Sequence, residues 1–229
     1  YYTTLPNIVM MLSILVLFKK RTNRIIRVLA LLFINWLVYK YCTSLHSIVV
    51  FAFFSILYLI NVVTHIFEKK NRMVDFFSIL FYPLCMGLSL YASVYYYQNP
   101  ASREFLDEFF NNRIMLMSNS YYENGIHLFG NAINMTTKLS EYNYVDSGYM
   151  YMLLVYGVIF SILMIGAYTW LLCKIRAKGD GFIFIWMLTI GIYALSNRVF
   201  LSLQYNPILY LAPQIIVENY YRVKHTSKA

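Results

Sequence analysis

Between Gln98 and Ser147 the chain carries side chains suited to anion binding and proton transfer: Arg103, Arg113, Glu123, His127 and Asp146. A guanidinium offers a planar fork of donors that matches phosphate geometry. Arg113 interrupts an apolar helical stripe between Phe110 and Met117, and it has two readings. One is a clamp for a phosphate-bearing substrate. The plainer one is a snorkelling residue whose stem covers apolar surface while its head reaches polar headgroups. Glu123, His127 and Asp146 are candidates to orient or deprotonate a hydroxyl. Asp146 could equally be the N-cap of the helix that follows, and His127 a hydrogen-bonded structural residue. Gly125 and Gly130 predict a turn with a close backbone approach. The four histidines, His46, His65, His127 and His225, form no metal cluster in the sequence. No metal or cofactor is expected.

These residues must be positioned by something. Asn99-Pro100 predicts a helix start, with Asn as N-cap and Pro at the first helical position. From there to about Ser120, Leu106, Phe110, Ile114 and Met117 recur at helical spacing. The expectation is one amphipathic helix on a membrane surface. Arg103 and Arg113 would then lie about 15 Å apart along its axis. Asn134-Met135-Thr136 fits a glycosylation sequon.

The rest of the chain is a membrane scaffold by composition. Of its 229 residues, 60% are hydrophobic and 13% are charged, against roughly 45–50% and ~25% in soluble domains. Seventeen Phe and 23 Tyr argue against disorder. Cys42, Cys85 and Cys173 lie far apart in apolar stretches, without metal spacing or disulfide logic, and are expected to be buried packing residues. The net charge of +9 would suggest nucleic acid in a soluble protein, but in a membrane protein it speaks first to orientation. No nucleic-acid partner is expected.

Seven apolar segments stand out: 5–18, 25–41, 46–67, 74–97, 148–173, 181–200 and 205–221. Fourteen of the 19 basic residues fall on alternate connections. Lys19, Lys20, Arg21, Arg24 and Arg27 follow the first segment. Lys69, Lys70 and Arg72 follow the third; Lys174, Arg176 and Lys178 follow the fifth; Arg222, Lys224 and Lys228 lie in the tail. Positive residues are retained in the cytoplasm, so the 98–147 loop is expected outside and the C-terminus inside. The expected fold is therefore all-α: four transmembrane helices over 1–97, an extracytoplasmic loop over 98–147, and three more helices with a basic tail over 148–229. The chain opens Tyr1-Tyr2 without Met or a signal-like n-region, which predicts the C-terminal part of a longer protein.

No P-loop, G-x-S-x-G, H-E-x-x-H or D-x-D motif occurs. A transfer reaction outside the cell needs a donor activated before export, and a lipid-linked pyrophosphate meets that need. Three runs occur in order: Asn112-Arg113-Ile114-Met115; Gly125-Ile126-His127-Leu128-Phe129-Gly130; and Asp146-Ser147-Gly148-Tyr149 through Leu153 to Tyr156-Gly157. Together with Tyr205-Asn206-Pro207-Ile208-Leu209 they resemble the Wzy-type repeat-unit polymerases of bacterial capsule and O-antigen synthesis. That family carries S/N-x-R, G-x-x-L-F-G and D-x-x-Y-x-x-x-L-x-x-Y-G in the same order. The resemblance covers roughly residues 111–211. Where family members often have an acidic residue before Tyr-Asn-Pro, this chain has Ser196-Asn197-Arg198.

The resemblance implies a metal-independent glycosyltransferase in the bacterial inner membrane. The donor would be a polyprenyl-pyrophosphate-linked glycan and the acceptor a sugar hydroxyl on another lipid-linked repeat. Arg113, helped by Arg103 or Arg198, would stabilise the departing pyrophosphate. Asp146, His127 or Glu123 would serve as base, and Gly125 and Gly130 would shape the loop. A flippase and a chain-length regulator are the protein partners it suggests. Two alternatives stay open: ligase-type transfer to a different acceptor, and a non-enzymatic lipid-glycan flippase. The flippase would place charges lining a path through the spans, which are nearly free of them apart from Asp75 near the inner edge.

Overall fold

The computed structural model describes residues 4–18, 23–42, 45–110, 112–133, 135, 144–202, 206, 209 and 213, without the Phe109 side chain. Helices form wherever the apolar runs are long: α1 Thr4–Phe18, α2 Arg24–Cys42, α3 Leu45–Thr64 and α4 Arg72–Gln98. Then come α5 Arg103–Phe110, α6 Arg113–Asn124, α7 Gly148–Tyr151, α8 Gly157–Lys178 and α9 Gly181–Tyr193. No strand occurs among the described residues. Four stretches are long and apolar enough to cross a membrane: α2, α3, α4 and the run Gly148–Lys178. The helices α1 and α9 are apolar but shorter. Among the described residues the fold is all-helical, and its apolar helices suit a membrane-embedded protein. The expected span 205–221, the sequon and the tail cations lie outside the described residues, apart from Met135, Asn206, Leu209 and Pro213. Of the three cysteines, Cys85 is buried, whereas Cys42 and Cys173 are only half-buried; all three are free thiols.

The chain divides into two units. The first holds Tyr1–Asn71, Leu171–Ile190 and Leu201–Ala229. In it α1, α2 and α3 pack on one another through apolar side chains tied by buried polar pairs. Asn35 Nδ2 donates to Ser13 Oγ at 2.9 Å, and Ser47 Oγ donates to Asn7 Oδ1 at 2.7 Å. In apolar surroundings such pairs, with the helix carbonyls that Ser13 and Asn35 also reach, satisfy groups that would otherwise be costly to bury. Arg176, buried, donates to the carbonyls of Phe67 and Lys69 and so braces the connection after α3. One of the basic residues read as topological is thus also a structural tie.

The second unit holds Arg72–Trp170 and Gly191–Phe200. Here the structure corrects the expected single amphipathic helix. Pro100–Ser102 forms a 3-10 turn, α5 follows, and the chain breaks at Asn112, whose φ of 61° is left-handed. A second helix, α6, then runs to Asn124. Asn99 makes no capping bond; its side chain turns back to the Tyr95 carbonyl. The helix α6 is packed against α4 instead of lying alone. Ile114 and Met117 are buried with Tyr96, Val145, Met150, Leu153 and Leu154. Ser118 Oγ reinforces that seam with a 2.8 Å bond to the Ser93 carbonyl.

Candidate functional site

Arg113 is the first residue of α6, and Asp146 immediately precedes the N-cap of α7. The cap itself is Ser147, whose Oγ accepts from the Met150 amide. The capping role considered for Asp146 therefore belongs to its neighbour, and the carboxylate is left to face Arg113. Arg113 Nη1 lies 3.5 Å from Asp146 Oδ2, and both side chains are 21% exposed. The same nitrogen donates to the Ser196 carbonyl. Burial pushes the Asp146 carboxyl above the ordinary carboxylate range, and the Arg113 charge only partly opposes it.

Three separated stretches build this corner, and backbone contacts hold them. The Gly148 amide donates to the Ala194 carbonyl at 2.8 Å, and a Cβ on Gly148 would lie 2.9 Å from the Asn197 carbonyl oxygen. Buried Tyr149 donates to the Gly191 carbonyl at 3.0 Å. The turn carrying Ser196 is thus fixed against the start of α7. Beside the ion pair opens an apolar cavity of about 200 Å³, lined by Leu88, Ala92, Ile114, Met117 and Leu195 with Arg113 at its wall. A fixed guanidinium next to an apolar slot suits an amphiphile with an anionic head.

The remaining expected residues do not converge there. Arg103 caps α4, donating to the carbonyls of Tyr96 at 3.0 Å and Tyr97 at 2.7 Å. Cations belong at a helix C-terminus, so this is a structural placement in its own right. The Arg198 guanidinium lies 3.9 Å from the Tyr144 ring centre and 4.8 Å from that of Tyr151. Glu123 is exposed near the far end of α6, about 15 Å along the axis from Arg113. His127 is exposed and its Nε2 bonds the Asn124 carbonyl at 3.1 Å, closing the loop on itself.

The two loop glycines do a different job. The helical run that starts at Gly148 passes through a π-type turn, Met152–Tyr156, and breaks at Gly157, where φ is 85°. The break strands backbone groups that need partners. The loop supplies them: Asn131 N donates to Leu154 O, while Val158 N and Ile159 N donate to the carbonyls of His127 and Leu128, at 3.0–3.2 Å. Approach is so close that a Cβ on Gly130 would sit 2.1 Å from the Val155 oxygen. One on Gly157 would sit 2.3 Å from the Gly130 nitrogen. Gly130 and Gly157 are two halves of one splice. Gly125, at φ 68°, ends α6 with its amide on the Tyr121 carbonyl. Gly157 was not singled out in the sequence, although its place at the end of the Tyr156-Gly157 pair was visible.

Among the described residues no three His, Cys, Asp or Glu side chains group so as to hold a metal ion. Comparison with protein-family models, curated proteins and solved structures gives no match.

Proposed function

We propose that this chain is part of a membrane glycosyltransferase that polymerises polyprenyl-pyrophosphate-linked oligosaccharide repeats on the outer face of the bacterial membrane. The observation that carries this reading is the Arg113–Asp146 pair, with Arg113 at the wall of an apolar cavity. In this reading seven spans place the 98–147 loop outside and the C-terminus in the cytoplasm.

Asp146 accepts the proton of a sugar hydroxyl on the acceptor. The hydroxyl oxygen forms a bond to the anomeric carbon of the donor glycan. The bond from that carbon to the pyrophosphate oxygen breaks, and the electron pair leaves with the polyprenyl pyrophosphate. Arg113 neutralises the charge that develops on it, a contribution worth on the order of 10²–10³ in rate. A raised carboxyl makes Asp146 a stronger proton acceptor than a solvated aspartate when it is ionised.

The test is a strain lacking the gene, complemented with variants at equal protein levels. Loss of the gene should accumulate single-repeat glycolipids. Arg113→Ala should not restore polymer, and Arg113→Lys should restore little, because a point charge does not reproduce a two-pronged fork. Full-length polymer from Arg113→Ala would refute the role given to Arg113. Accumulation of long lipid-linked chains in the deletion would move the reading to ligase chemistry. Purified full-length protein that leaves lipid-linked repeats unextended would favour transport.

A further inference from the structure

We infer that the segment from Gly125 to Asn131 inserts into the membrane, with Leu128 and Phe129 embedded among acyl chains of the leaflet nearer the 98–147 loop. Leu128 is 61% exposed and Phe129 is 83% exposed, two large apolar side chains side by side at the tip of a loop. In water this would be an unfavourable arrangement. The tip is not loose, because its backbone is spliced to α8 through the amides of Val158 and Ile159.

The splice fixes the depth. Val158 lies 16 residues above Lys174, the first cation at the basic end of α8, or about 24 Å along the helix. A hydrocarbon core is about 30 Å thick, so a helix anchored by Lys174 holds Val158 roughly 6 Å inside the opposite boundary. The carbonyls of His127 and Leu128 are bonded at that level. On the same helix Ile159, Ile162 and Leu163 are exposed, and they form the face expected to meet lipid. Leu128 and Phe129 extend that apolar surface instead of interrupting it.

Two further properties fit an acyl environment. From Asn124 to Met135 the sequence contains no Asp, Glu, Lys or Arg. Irregular backbone at membrane depth is tolerated only where its polar groups find partners. Of this segment's backbone groups, the carbonyls of Asn124, His127 and Leu128 and the amides of Gly125 and Asn131 are bonded within the protein.

The test uses the full-length protein in phosphatidylcholine and phosphatidylglycerol vesicles, with Cys42, Cys85 and Cys173 replaced by Ser. Single cysteines at Phe129→Cys, Leu128→Cys, Ile162→Cys and Glu123→Cys are labelled with the polarity-sensitive fluorophore NBD. The expected result is that labels at 128, 129 and 162 are quenched by nitroxide-bearing lipids and shielded from iodide, while 123 shows the reverse. Iodide quenching at 128 and 129 overturns the inference. So does shielding from both quenchers, which would mean that protein covers the tip. The label at 162 reports whether α8 itself contacts lipid, and none of these readouts depends on glycosyl transfer.

Discussion

Both units tie polar groups in apolar surroundings with side chains, and the second adds a backbone splice. The first ties regular helices with side chains, Asn35 to Ser13 and Ser47 to Asn7. The second ties an irregular loop to a broken helix with backbone, His127 and Leu128 to Val158 and Ile159, and Asn131 to Leu154. A side-chain tie leaves each helix intact when it is cut. A backbone splice cannot be cut at one residue without stranding the groups opposite. It also demands glycine, because nothing larger lets two backbones approach so closely. The second unit is therefore the more fragile to substitution, and it is also the one that presents Arg113 and Asp146.

The largest expected effect is at the splice. Gly157→Ala or Gly130→Ala combines a positive φ with a steric overlap on backbone that has no flexible side chain to yield. Destabilisation of about 3 kcal/mol or more is expected, read as lost folded protein in detergent thermal melts. A wild-type melt for either variant would disprove the splice.

Next come the residues at the site, where activity and stability should separate. Asp146→Asn keeps the shape and removes the charge. Its rate should fall by about 10²–10⁴, with a melting temperature that does not fall. The pH dependence has two opposite signs. Proton acceptance requires ionised Asp146, so activity should fall as pH drops through a value above the ordinary carboxylate range. For stability, a raised folded value means that the native chain holds this proton more tightly than the unfolded chain does. That contribution is complete below the ordinary carboxylate range and disappears as pH rises through the folded value. A rate profile whose acid limb sits at the position of a solvated aspartate would remove Asp146 as the base.

The smaller effects belong to single ties. Arg103→Gln removes two donors from the end of α4 and should cost about 1 kcal/mol in denaturant titrations, with polymer formation retained. Loss of polymer at full stability would instead restore Arg103 to a substrate role. Asn35→Ala in the first unit should cost about 0.6 kcal/mol. A value matching the glycine variants would erase the contrast between the units.

Much of this was legible in the residues. Long apolar runs gave α2, α3, α4 and α8, since hydropathy over that length leaves few other structures. The apolar stripe through Ile114 and Met117 was visible as well. Its division at Asn112 was not, because a left-handed asparagine leaves no trace in a period count. The cap before α7 is Ser147 and not Asp146; both have cap chemistry, and only their orientation distinguishes them. Gly125 and Gly130 marked a turn and a close approach. Their partner, Gly157, could be found only by knowing which helix breaks opposite them. The meeting of Arg113, Asp146 and Ser196 is tertiary, across more than eighty residues of chain.

The break at Gly157 also orders the protein's birth. The amides of Val158 and Ile159 have no acceptor within their own helix, so α8 cannot reach its final state in a bilayer alone. Their acceptors are translated first, some thirty residues earlier. The ribosome thus delivers the lock before the key, and the helix completes its assembly only after the preceding loop has folded back onto it.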